Sequence, residues 1–168
     1  MRGREASPGA RRDREFEAFV AGAAGRLLHT ATLLTAEVPE ANPRARRLLA
    51  LALAQTYAAW DRLRGEDPYD RARQQLAVRF ARTAWHTYGR FGAFGRERPD
   101  ASGALARLTP QERLIVVLLL HEGIAEEQTA ALLALSVERV RGIRARAVAV
   151  LLHPPRGPAP ARMKVAHS

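Results

Sequence analysis

The stretch Ser136–Leu151, "SVERVRGIRARAVAVL", carries four arginines and one acid on a run with helical apolar spacing. On a helical wheel Val137, Val140, Ile143, Ala147, Val150 and Leu151 gather on one side. Glu138, Arg139, Gly142, Ala145 and Arg146 point away, and Arg141 lies at the border. Arg144 sits over the apolar seam, where it is expected to snorkel or pair. Ser136 is a good N-cap. Such a helix seats one face on a core and offers guanidinium groups on the other. The outer face is either merely solvated or a reader of a polyanion.

Upstream, Thr109-Pro110 places a capping side chain before a proline whose missing N–H is harmless at a helix start. Glu112 completes a capping box. This helix is predicted from Pro110 to about Glu122, with Gly123 as its C-terminal cap. A short helix, Glu126–Leu133, follows, and the tight connection "ALS" leads into the opening stretch. Two helices joined by so short a turn form a helix-turn-helix, whose second helix lies in the DNA major groove.

Asn42-Pro43 and Asp67-Pro68 repeat the helix-start signature in the first half. Apolar residues recur helically from Leu48 to Trp60 and through Leu76, Phe80, Ala84 and Trp85. An earlier helix is predicted over roughly Arg14–Leu34. No segment alternates like a strand, so the expected fold is all-α. "GRFGAFGRERPDASG", Gly89–Gly103, is glycine-rich and aperiodic, and is expected to be a flexible linker between two small helical domains. The expected organisation is a disordered N-terminus over 1–13, a helical domain over 14–88, the linker over 89–103, a helix-turn-helix domain over 104–152 and a disordered, proline-rich tail over 153–168.

Lysine and arginine number 27 against 17 acids, a formal charge of +10. That excess suits a polyanionic partner. Lys164 is the only lysine; arginine favours bidentate recognition of phosphates and guanines, although a GC-rich genome also enriches it. Without cysteine there is no disulfide, thiolate nucleophile or cysteine-bound zinc. The N-terminal stretch does not read as a signal peptide, since Arg26 and His29 interrupt it. "LIVVLLL", Leu114–Leu120, is too short to span a bilayer. A cytoplasmic protein with no membrane partner is expected. The histidines are scattered, no HExxH occurs, and "GRFGAFG" lacks both a preceding strand and a P-loop lysine. Neither an enzyme nor a metal or other cofactor is expected.

With these residues placed, the chain resembles the extracytoplasmic-function sigma factors of actinobacterial type over most of Glu15–Leu151. "ALARLTPQERLIVVLLLHEGIAEEQTAALLALSVERVRGIRARAV" is similar to the family's −35-binding region 4. Its L-x-P-x-x-R opening matches Leu108, Pro110 and Arg113, and S-V-x-x-V matches Ser136, Val137 and Val140. "EFEAFVAGAAGRLLHTATLLT" and "ALAQTYAAWDRLR" are similar to helices of the −10-binding region 2. The resemblance implies a three-helix region 2-like bundle that grips the RNA polymerase clamp and helps melt the −10 element. It also implies a region 4-like domain that reads the −35 element through Glu138, Arg139, Arg141, Gly142 and Arg146. The helix Asp70–Tyr88 matches the promoter-facing helix, making Arg73, Arg79 and Arg82 candidate DNA contacts. Phe80, Trp85 and Tyr88 are either stacking platforms for a single strand or core; Trp60 is expected in the core.

Departures from the family pattern qualify the polymerase partner. The clamp-binding D-x-x-Q-E positions read Arg47, Ala50 and Leu51, and a base facing a surface adapted to an acid repels it. Ala134 replaces the turn glycine, Gly142 lies within the recognition helix, and Leu119 stands where arginine is usual, extending an apolar surface. The alternative function is a sigma-derived regulator that no longer binds core polymerase and acts on DNA or a protein partner directly. An anti-sigma factor is a further candidate partner.

Overall fold

The structure is a computed structural model that describes residues 7–63, 65–90 and 103–153. Ser7 accepts the N–H of Ala10 and Pro8 occupies the first turn, opening α1, Pro8–Thr35. The helix thus begins before the expected Arg14, and Pro8–Asp13 are helical, not disordered. α1 ends in a left-handed Ala36.

α2, Pro43–Ala58, starts at Asn42-Pro43, but Asn42 does not cap it. Its amide donates instead to Thr32 Oγ1 at 2.9 Å, while the buried Glu37 carboxylate accepts the N–H groups of Arg44 at 3.1 Å and Ala45 at 2.8 Å. Burial pushes the Glu37 carboxyl upward. The backbone N–H bonds of Ala45 and Arg44, the Arg44 guanidinium and Thr35 outweigh that, and hold it below the usual carboxylate range. A 3-10 turn, Trp60–Arg62, follows α2. Trp60 is half-buried against Phe16 and Phe19, with ring centroids 5.1 and 5.4 Å away. α3 spans Pro68–Arg90, and Asp67 accepts the N–H of Tyr69 at 2.9 Å.

A 3-10 turn, Ala104–Arg107, leads into α4, Pro110–Val116, which opens with the expected Thr109/Glu112 capping box. The run continues as a π-helical turn, Val117–His121, in which Glu122 N–H reaches Val117 O at 3.0 Å. Gly123, at φ 67°, closes it, the left-handed conformation that glycine adopts without cost. α5, Glu126–Leu133, and α6, Val137–Leu152, complete the chain. Among the described residues there is no strand, only an isolated bridge between Val38 and Ala41. The fold is all-α, with a helix-turn-helix in α5–α6. Of the expected linker 89–103 and tail 153–168, residues 91–102 and 154–168 lie outside the described set, as do residues 1–6 of the N-terminus.

One buried apolar cluster runs through both halves. It holds Leu27, Ala31 and Leu34 of α1, Leu49 of α2 and Leu76 of α3 together with Leu114, Ile115 and Leu118 of α4 and Val140 and Ile143 of α6. Helix α3 packs on both α4 and α5. Leu119 packs against this core and does not extend an exposed surface; the exposed leucine is Leu120, at 62%.

Candidate nucleic-acid interface

The turn before α6 is built by left-handed Ala134, φ 52° and ψ 45°, whose neighbour Leu135 donates its N–H to Ala130 O at 2.9 Å. Ser136 then caps α6 by accepting the N–H of Arg139 at 3.2 Å. Val140, Ile143 and Ala147 are buried, which turns the opposite face outward. On that face Glu138, Arg139, Ala145 and Arg146 are exposed and Gly142 is half-exposed. A Cβ at Gly142 would meet only the Arg146 guanidinium, 3.7 Å away.

The arginines divide into two sets. Arg139 and Arg146 have no ion-pair partner among the described residues. Arg141 is engaged across the turn: its Nε lies 2.6 Å from Glu126 Oε2 and its Nη2 3.8 Å from Glu127 Oε1. The hydrogen bond and the charge of Glu126 raise its pKa. Arg144 pairs with Glu126 at 2.5 Å. Arg141 is therefore corrected from a free reading group to one whose charge is matched within the chain, while Arg144 pairs as its place over the seam requires.

On α3 the candidates also separate. Arg73 has a side chain only 15% exposed and pairs with Asp70 at 2.9 Å and Glu122 at 3.6 Å, so it faces α4, not solvent. Arg79 is half-buried and donates to Gln55 of α2 at 3.4 Å. Arg82 is exposed. Phe80 packs against the core, not as a free platform. The side chains of Trp85 and Tyr88 lie outside the described set. On α2, Arg47, Ala50 and Leu51 all face solvent, Leu51 at 45% exposure.

Residues 104–153 match the family model of sigma-70, region 4. These residues are a sigma-70 region 4 segment. Region 4 here comprises the Ala104–Arg107 turn and α4–α6, and α1–α3 lie outside the match. No curated protein and no solved structure matches the chain. Region 4 is held to α1 by a residue of its own opening motif. Buried Arg113 donates to Leu34 O of α1 at 3.1 Å, to Leu105 O at 2.9 Å and to Leu108 O at 3.0 Å. No helix among the described residues is long and apolar enough to cross a membrane.

Sequence reasoning missed a second polar centre. Glu122, its side chain fully buried, accepts hydrogen bonds from Thr30 Oγ1 and from the Tyr69 hydroxyl at 3.1 Å. It also lies 3.5 Å from Arg26 and 3.6 Å from Arg73. Burial, then the Glu122 charge and hydrogen bond, push the Tyr69 phenol up to about 12, so it stays a donor at neutral pH. One signal was available. An acid at the C-terminal end of a helix opposes the macrodipole, so it needs partners elsewhere.

Proposed function

We propose that the protein is a DNA-binding transcription regulator of the extracytoplasmic-function sigma type, with α1–α3 as its region 2-like part. The observation that carries this reading is the pair Arg139 and Arg146, unpaired on the exposed face of the second helix of a region 4 helix-turn-helix. Guanidinium groups so placed give bidentate contacts to guanine edges, about 1–3 kcal/mol of discrimination each. Arg82 adds positive charge on α3 for the −10 side, and the net charge of +10 supplies sequence-independent attraction to phosphates.

A second reading rests on α2. Its outward face carries Arg47, Ala50 and Leu51 where a clamp-binding helix of this type has an acid and two polar groups. That surface supports a regulator acting on DNA without core polymerase. A sizing column separates the two: the initiation-factor reading predicts comigration of the purified protein with core enzyme. Free elution, with comigration restored by Arg47→Asp, would establish the second reading. Selection from a random duplex pool should enrich a defined motif under either one; failure to enrich any overturns both.

A further inference from the structure

We propose that Glu122 is a latch that holds region 4 closed on α1–α3, and that DNA engagement by both halves at once requires it to open. The inference rests on the DNA-binding reading above. Four groups from the other half converge on one carboxylate: Thr30 and Arg26 from α1, and Tyr69 and Arg73 from α3. A ring contact beside it, His29 of α1 against His121 with centroids 5.0 Å apart, crosses the same seam.

The π-helical turn is what brings the carboxylate there. It fits one residue more into the turn than an α-helix does, so Glu122 N–H bonds Val117 O and not Leu118 O. The turn directs Glu122 inward instead of toward water, where an acid at a helix end would otherwise lie.

Closure limits what the molecule can reach. Elements named −35 and −10 lie roughly 25 base pairs apart, which at about 3.4 Å per pair is about 85 Å. Helix α3 packs directly on α4 and α5, and packed helices have axes only about 8–10 Å apart. A closed molecule therefore meets one element at a time. It also withholds Arg73, whose charge is spent on Asp70 and Glu122. A buried ionic cluster of this kind specifies an arrangement more than it stabilises one. Because Arg26 stays 60% exposed at its rim, water reaches the cluster readily when the halves part. DNA shifts the population only as far as it prefers the open form.

The chain has no cysteine, so dyes attached through Ala50→Cys on α2 and Ala149→Cys on α6 report the separation of the halves cleanly. The wild-type background should show one high-transfer population. Glu122→Ala, without any DNA, should raise the low-transfer population about tenfold or more while circular dichroism stays helical. Thr30→Val with Tyr69→Phe should do the same from the opposite side. Unchanged transfer in both variants overturns the latch. So does loss of helicity in both, which would make the halves one cooperative unit. Adding a genomic duplex at low salt should shift the wild type toward low transfer; saturated binding with unchanged transfer also overturns it. If no duplex binds at all, the DNA-binding reading fails, and the variants still decide the latch.

Discussion

Ala134 holds a left-handed backbone that a Cβ makes costly, by roughly 1–2 kcal/mol. Glycine at that position relieves the clash but loosens the unfolded chain, so Ala134→Gly should stabilise the protein by about 1 kcal/mol. Thermal unfolding checks it, and a lower Tm would show that the turn bears no strain. The sequence identified this residue because the slot is local to a recognisable turn. It could not sort the arginines of α6 in the same way. The wheel ranks Arg139 and Arg141 nearly alike, because the carboxylates that separate them, Glu126 and Glu127, lie on the preceding helix. Pairing across a turn is set by the bend, which no single-helix projection contains.

Helix starts were legible because a capping side chain before proline is a dipeptide signal. The same rule at Ser7-Pro8 gives the true start of α1, but the dense charge from Arg11 to Glu15 has no apolar period and hides it. The cap of α2 shows where the rule ends. Asn42 turns inward and Glu37, from the preceding loop, takes the N-terminal N–H groups. Glu37→Gln should destabilise by about 1–3 kcal/mol near neutral pH, since charge-assisted bonds are lost at a buried site. The folded carboxyl lies below its ordinary range, so its contribution is present above the unfolded pKa and fades as pH falls through the lower folded one. Denaturant titrations should therefore show the gap between the two proteins closing below about pH 4; a gap constant with pH would rule out the ionised cap. Within α6, Gly142→Ala adds a methyl that meets only ordinary contact. It should stabilise the free protein by about 0.5–1 kcal/mol, read again as a rise in Tm. A fall would mean that the glycine relieves a crowding the free structure lacks.

At the scale of the whole molecule, the all-α class and the helix-turn-helix follow from spacing and caps, and both stand in the structure. The joining of the halves was not legible. Leu114, Ile115 and Leu118 read as core of their own helix, yet they share one cluster with Leu27, Leu34 and Leu76 far earlier in the chain. Periodicity names a buried face without naming what covers it. Glu122 and Arg113 make the point in polar terms, since their partners lie 92 and 79 residues away, at Thr30 and Leu34. Charge, by contrast, is a sum, and the +10 of the chain reads the same folded or unfolded.

The most direct test measures duplex affinity by fluorescence anisotropy across salt concentrations. Arg139→Ala and Arg146→Ala are predicted to weaken binding about tenfold or more each, while Arg141→Ala, already balanced by Glu126 and Glu127, changes it little. Equal affinity and an unchanged salt slope in the Arg139 and Arg146 variants would contradict the claim that this face of α6 meets DNA.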